Sequence, residues 1–383
     1  MDYFRAKRFL DTLPDWETGT PPSGPLADYL PRMRALLARL DHPQRAFHTL
    51  IVGGTNGKGT VSSLVASLAQ HAGRRVGLYT SPHLHTQRER IRIDGEIIDK
   101  DEWAEAVSTL YDATRDFERE GLGPFSKFEA LTALAAHFFA ESQVEWAIVE
   151  VGLGGRYDAT NAWDSRAAIL TRVGLDHVGI LGHTIEEIAA DKVHIARSGC
   201  PLFTTASQAP EVTKLLQRTC SDRAIELHTA PALPQGARTA HYGENAGLAL
   251  AAARHLGLAP EPPADERLVA GHVWPGRFEE ASVDPLVILD GAHNPQAAQG
   301  LAGSLGALRD RWTLIVGVGA GHDAQGLIEA LAPVAKRIIL TASDHPKAVP
   351  ASELTQFVPE TIAAEVVPSF SAALQRGQAC AAA

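Results

Sequence analysis

The stretch Thr49-Leu50-Ile51-Val52-Gly53-Gly54-Thr55-Asn56-Gly57-Lys58-Gly59-Thr60 constrains this chain more than any other. A short apolar run breaks into a Gly-rich turn and then into an Ala/Leu/Val/Ser helix ended by Gly73. Glycines at 53, 54, 57 and 59 let the backbone turn tightly and bring its N–H groups close to an anion, while a helix opening at Lys58 aims the positive end of its dipole at the same spot. Thr55, Asn56, Gly57, Lys58, Gly59 and Thr60 therefore read as a phosphate cradle. Lys58 reaches the β/γ-phosphates, and the Thr60 hydroxyl reaches Mg²⁺ or a phosphate oxygen. The generic P-loop has Ser or Thr directly after the Lys; Gly59 intervenes here, so the flanking strand and helix carry the assignment.

The same strand-to-helix rhythm continues. Val76–Tyr79, Trp146–Val151, Ala167–Thr171 and Pro201–Thr204 read as short strands, separated by helical stretches at 101–119, 128–142 and 184–197. That alternation predicts an α/β fold, a P-loop-containing, mostly parallel sheet with helices on its faces. Before it, residues 1–48 read as a helical lead-in broken by a loop at Thr18–Pro25. Leu26–Leu40 then forms a helix with Arg32, Arg34 and Arg39 on its wet face. Residues 206–240 are polar or mixed, and a helix opens at Glu244-Asn245-Ala246. After the Pro-rich Ala259–Pro263, Trp274-Pro275-Gly276-Arg277-Phe278 reads as a linker.

Beyond the linker the alternation restarts. Leu286–Leu289, Trp312–Val318 and Arg337–Thr341 are expected as strands; Pro295–Leu308, Ala324–Val334 and two stretches around Glu365–Pro368 are expected as helices. A chain of 383 residues, 45% hydrophobic, has the length for two cores. The expected domains are 1–275, carrying the P-loop, and 276–383, a smaller Rossmann-like α/β domain.

A net charge of −10 argues against general binding to nucleic acid or to an anionic membrane, so a phosphate site must be a local concentration of positive groups. There is no apolar run of membrane-spanning length, and Met1–Arg8 lacks the apolar core of a signal peptide, so a cytoplasmic location is expected. Cys200, Cys220 and Cys380 are too few and too far apart for a disulfide frame or zinc knuckle.

In parallel sheets ligands bind beyond the carboxyl ends of the strands. Ser81 lies there in Thr80-Ser81-Pro82-His83-Leu84, Glu150 at the end of the Trp146 strand, and Asp176-His177 after the Ala167 strand; Lys192 follows in the helix that starts near Thr184. A hydroxyl, a carboxylate and an imidazole at neighbouring strand ends suit Mg²⁺ beside nucleotide phosphates better than zinc. His83 and His85 read as loop residues. Phe128, Leu131, Leu134, Ala135 and Phe138 have core spacing, with Phe128 also placed to face a ring in a cleft. At Leu289-Asp290-Gly291-Ala292-His293-Asn294-Pro295, Asn294 as cap and Pro295 in the first turn explain part of the sequence structurally.

Taken together, Gly54–Thr60, Ser81–Leu84, Glu150–Asn161, Leu175–His177, Pro275–Arg277 and Asp290–Pro295 resemble the folylpolyglutamate synthase and dihydrofolate synthase group of the Mur-ligase-like ATP-dependent amide ligases. The resemblance implies ATP and Mg²⁺ as cofactors, dihydropteroate or folate and L-glutamate as substrates, and a monomer binding neither nucleic acid nor membrane. It implies an acyl-phosphate route closed by rotation of the domains about Arg277. It assigns Ser81, Glu150, His177 and Lys192 to metal, with Lys192 as a carbamate. Asn245, Arg277, Asp290 and His293 go to the nucleotide, Phe128 and Asp158 to the acid substrate, and Lys58, His177 and Lys192 to catalysis.

Three departures stand out. Asp191-Lys192-Val193-His194 replaces the usual Glu-Lys-Ala-Gly, Gly321-His322-Asp323-Ala324 replaces an Asp-Lys-Asp loop, and the chain ends at Ala379–Ala383, where the group continues into another strand. They leave open a ligase for another acid or amine, or a nucleotide-binding relative without ligase activity. A P-loop hydrolase or kinase lacks an identifiable nucleophile or water-positioning residue.

Overall fold

The computed structural model describes residues 1–15, 19, 25–117, 121, 123–233, 240–308 and 311–381. The loop expected at Thr18–Pro25 falls outside them except for Gly19 and Pro25, as do the end of the 101–119 helix and Ala382–Ala383. The chain forms two compact units, Met1–Pro234 with Glu244–His272, and Gln235–Gly243 with Val273–Ala383.

In the first unit, helices α1 (Tyr3–Asp11) and α2 (Tyr29–Arg39) precede strand β1 (His48–Gly53), which runs through the Gly-rich turn into α3 (Lys58–His71). Then come β2 (Val76–Tyr79), β3 (Ile91–Ile93), β4 (Glu96–Ile97), α4 (Lys100–Thr114), α5 (Lys127–Glu141), β5 (Trp146–Glu150) and β6 (Ser165–Leu170). The unit continues with α6 (Val178–Leu181), α7 (Ile185–Lys192), β7 (Leu202–Thr205), α8 (Pro210–Asp222) and β8 (Leu227–Ala230). Helix α9 (Ala240–His255) crosses from the second unit into the first, and α10 (Ala264–Gly271) closes the first unit.

The sheet order is β4-β3-β2-β5-β1-β6-β7-β8. Strands β2, β5, β1, β6, β7 and β8 are parallel, and β3 and β4 add antiparallel at one edge. Strand β1 is buried from Thr49 to Gly53, as a strand covered on both faces must be. One core joins Met33, Leu36, Trp103, Leu131, Phe139 and Trp163; another joins Ile51, Leu170, Ile188, Val193 and Leu216.

Arg32 departs from the expected wet face. It is 1% exposed and forks onto Glu129, Nε to Oε1 at 2.8 Å and Nη2 to Oε2 at 3.1 Å, whereas Arg34 and Arg39 are exposed. A planar guanidinium with a two-pronged carboxylate partner satisfies its charge without water.

In the second unit, β9 (Glu279–Val283) and β10 (Leu286–Leu289) form an antiparallel pair of their own. The strand expected at Leu286–Leu289 is therefore a hairpin arm, outside the parallel sheet of β11 (Trp312–Val316), β12 (Ala335–Ala342) and β13 (Ala363–Ser369). The helices are α11 (Pro295–Leu308), α12 (Ala324–Leu331) and α13 (Phe370–Ala381). The helical reading around Glu365–Pro368 is corrected: these residues lie in β13, parallel to β12, where the β-branched Val366 and Val367 favour a strand.

Candidate active site

Strands β2, β5, β1 and β6 lie side by side, and each delivers a polar loop from its carboxyl end. Strand β1 delivers the Gly-rich turn. Gly54 and Gly57 have φ of 137° and 89°, and Gly57 caps α3. A Cβ on Gly54 would strike the Thr171 side chain, and one on Gly57 would strike the Asn245 amide, so both need glycine for conformation and for space. Thr55 is braced by the exit of β6: its N–H donates to the Arg172 carbonyl at 3.1 Å, and its hydroxyl bonds to Gly174 through the carbonyl at 3.1 Å and the N–H at 3.0 Å. The Asn56 carbonyl accepts from the Thr171 hydroxyl at 2.7 Å. Gly59 and buried Thr60 form the first turn of α3, and the Thr60 carbonyl accepts from Ser63 at 3.0 Å.

Two lysines meet at this turn. Lys58 Nζ donates to the carbonyls of Gly54 at 3.3 Å and Thr55 at 3.1 Å; Lys192 Nζ, 3% exposed at the end of α7, donates to Gly54 at 3.0 Å. Burial first and the Lys58 charge second hold the Lys192 pKa down to about 7, against the pull of Asp191, Asp176 and Asp158. A neutral amine is therefore accessible to Lys192 near neutral pH.

From the exits of β2 and β5, the Ser81 N–H donates to Glu150 Oε2 at 3.0 Å, and Glu150 is buried at 5% exposure. Among the described residues no three His, Cys, Asp or Glu side chains form a metal cage by themselves. Hard oxygen donors on Glu150, Ser81 and Thr60 beside a phosphate cradle match the way Mg²⁺ is held, by one or two carboxylates together with substrate phosphates. His177 sits at φ 50°, ψ 39°, an uncommon conformation for a residue other than glycine. Its N–H donates to Asp176 Oδ1 at 2.9 Å, and its ring lies 4.0 Å from the same carboxylate.

Asp158 organises the loop after β5, accepting from the N–H groups of Gly152, Leu153 and Thr160 and from the Thr160 hydroxyl. Burial pushes its carboxyl up, and those four hydrogen bonds oppose the shift. Phe128 lies on this loop, so close that a Cβ on Gly152 would fall 2.5 Å from the ring. Leu131, Leu134 and Ala135 are buried, as their spacing predicts.

In the second unit Asp290 accepts from the N–H groups of Phe278 at 2.8 Å and Ala292 at 2.9 Å. Arg277 lies against Gly291, where a Cβ would meet Nη1 at 2.5 Å. The rings of His293 and His322 stand edge to face, 5.1 Å apart. Thus Thr55–Thr60, Asn245 and Lys192 gather at one turn, Ser81 and Glu150 pair directly, and Arg277, Asp290 and His293 share a second loop system. Sequence reading missed Thr171, Arg172 and Gly174, the braces of the P-loop; their signal is their position at the exit of the strand beside β1.

Residues 276–383 match the family described as Mur ligase, glutamate ligase domain. A P-loop sheet followed by such a domain defines an ATP-dependent ligase of the Mur class. The chain is 34% identical over 359 residues to the dihydrofolate synthase/folylpolyglutamate synthase of Bacillus subtilis strain 168, spanning 85% of this chain and 83% of that protein. Mycobacterium tuberculosis folylpolyglutamate synthase complexed with ADP matches with a TM-score of 0.88 at 28% identity, over 99% of this chain and 91% of the other. The bifunctional folylpolyglutamate synthase/dihydrofolate synthase of Yersinia pestis complexed with AMPPNP and Mn ion matches with a TM-score of 0.83 at 25% identity, over 98% and 92%. The chain belongs to the dihydrofolate synthase/folylpolyglutamate synthase family. No helix among the described residues is long and apolar enough to cross a membrane.

Proposed function

We propose that the chain joins L-glutamate to the carboxylate of dihydropteroate, of a folate, or of both, at the expense of ATP. The observation that carries this reading is the convergence of four adjacent strand ends on a P-loop with a buried carboxylate beside it. A carboxylate oxygen of the acid attacks the γ-phosphorus, the bond to the ADP oxygen breaks, and an acyl phosphate forms. The neutral amine of glutamate then attacks the acyl carbon, phosphate leaves, and the amine loses a proton. The protein's task is positioning and charge stabilisation, because the reacting phosphoryl group and the attacking carboxylate are anionic.

In this reading Lys58 and the amides of Thr55–Thr60 hold the β/γ-phosphates, with Asn245, Arg277, Asp290 and His293 on the rest of the nucleotide. Ser81, Glu150, His177 and Lys192 would hold magnesium, which would neutralise phosphate charge when bound. Phe128 and the loop organised by Asp158 shape the acid pocket. Lys192 takes up CO₂ as a carbamate: the ammonium first loses a proton to solvent, the neutral amine attacks the carbon, a second proton departs, and the side chain ends as a carbamate anion. Its pKa of about 7 supports this assignment. The P-loop domain is taken as 1–275 and the ligase domain as 276–383, in a cytoplasmic monomer with no nucleic-acid or membrane partner.

The test is ADP release with Mg-ATP and L-glutamate, comparing dihydropteroate, tetrahydrofolate and no acid, with mass spectrometry of the product. A gain of one glutamyl unit is expected; ATP binding without any new amide overturns the reading. A second reading, the same chemistry with another acid or amine, is favoured by the Gly321–Ala324 loop. There His322 packs against His293, and Asp323 caps α12 through the Gly326 N–H at 2.8 Å. Turnover restricted to other acids or amines in the same assay selects it.

A further inference from the structure

The loop after β5 lies along the end of α7 residue against residue. A Cβ on Gly154 would fall 2.5 Å from Asp191 Oδ2, and one on Gly155 would fall 2.7 Å from the Lys192 carbonyl oxygen. The next residue, Arg156, donates to His194 Nε2 from Nε at 3.1 Å and Nη2 at 2.7 Å. An imidazole nitrogen that accepts from a guanidinium carries no proton, so the ring proton sits on Nδ1, which faces the Ala190 carbonyl at 2.7 Å, one turn back along α7. The amide of Asn161, 3% exposed, spans the same two residues from behind, donating to the carbonyls of Arg156 at 3.2 Å and His194 at 3.4 Å. Close contact of Gly154 with the Asp191 side chain and of Gly155 with the Lys192 backbone fixes how near the two segments come. The Arg156–His194 bond and the Asn161 amide, together with an Arg197 hydrogen bond to the Asn161 carbonyl further along, fix how they are aligned along each other.

We propose that Arg156 and His194 form a clasp that positions Lys192 relative to Glu150, the two members of the metal set that stand on opposite sides of this seam. The inference rests on the ligase reading for the role of those two residues. Neither Arg156 nor His194 touches the reacting atoms; both act through the backbone they join, and they are positioning residues. A slip of the seam moves Lys192 Nζ off the Gly54 carbonyl and changes its placement relative to Glu150. Outer partners that orient metal-binding groups typically alter metal affinity by about 10–100-fold when removed.

The test compares the parent with His194→Leu, Arg156→Leu and His194→Gln, the last retaining an acceptor for Arg156. Mn²⁺ affinity of the ADP-bound protein is measured from the EPR signal of free Mn²⁺, with amide hydrogen exchange at 154–157 and thermal midpoints recorded alongside. Both Leu variants are expected to bind Mn²⁺ roughly tenfold more weakly, with faster exchange at 154–157, while the Gln variant stays near the parent in both. Leu variants that match the parent, or Gln and Leu variants equally impaired, overturn the clasp. A parent that binds no Mn²⁺ with ADP overturns the ligase reading instead, and the exchange rates still judge the clasp on its own.

Discussion

The P-loop neighbourhood and the Asp290–His293 turn both follow strand ends, and they hold charge in opposite ways. Around the P-loop, Lys58 and Lys192 share one carbonyl, Glu150 is buried beside Ser81, and burial beside the Lys58 charge holds the Lys192 pKa down to about 7. In the second unit Asp290 is exposed and its oxygens accept from two nearby backbone N–H groups, so its charge shapes a turn. Crowded, desolvated charge is costly to assemble and is retained where a reaction uses it; solvated charge on a turn is cheap and serves local geometry.

The largest test of this contrast is Lys58→Met. Removing one preorganised positive group from a phosphoryl-transfer site costs on the order of 10²–10³ in kcat. ADP release under saturating substrates is the readout, and a loss of less than tenfold would break the contrast at its strongest point.

Lys192→Met tests the cost of crowding. The folded-state pKa lies at about 7, below the ordinary lysine value of 10.5, so between these limits the unfolded chain binds the proton and the folded chain does not. Stability conferred on the parent therefore rises with pH through this window, and the burial cost is fully present below about 7. The Met variant is expected to be more stable at pH 7 by an amount on the order of a few kcal/mol, with the gain shrinking towards pH 10, while ligase turnover is lost. Urea midpoints against pH in CO₂-free buffer check this. A gain independent of pH would mean that Lys192 carries its charge in the folded chain.

Gly54→Ala ranks next. With φ at 137° and the Thr171 side chain in the path of a Cβ, it is expected to cost about 1–3 kcal/mol and to weaken ATP binding. A thermal midpoint and an ADP titration measure the two effects separately.

What could be read ahead of the structure follows from how locally each feature is encoded. The P-loop was legible because its constraint is backbone conformation within a few residues, and Gly54 and Gly57 adopt the positive φ that only glycine takes easily. Ser81 and Glu150 were legible as strand ends, but their direct pairing depends on β2 and β5 being neighbours, which the order of strands along the chain does not state. Arg32 was misplaced because helical periodicity is silent about Glu129, 97 residues away. The Arg156–His194 bond spans 38 residues and escaped for the same reason. In β13 the Ala363-Ala364-Glu365 start resembles a helix, and the parallel pairing with β12 decides otherwise.

Asn294→Ala carries the smallest expected effect and isolates the second side of the contrast. Asn294 is 3% exposed, and its Oδ1 accepts from the Ala297 N–H at 2.9 Å, capping α11 next to His293. Losing such a cap costs about 1 kcal/mol, because an N–H at the helix start is left without its acceptor. A drop of a few degrees in the thermal midpoint is expected, with kcat and the KM for ATP within about threefold of the parent, since the roughly 1 kcal/mol is spent on folding and not on the transition state. Should Asn294→Ala lower kcat as far as Lys58→Met does, the turn after β10 would have to be counted with the reacting groups, and the division between a site that holds buried charge and a loop that holds shape would not stand.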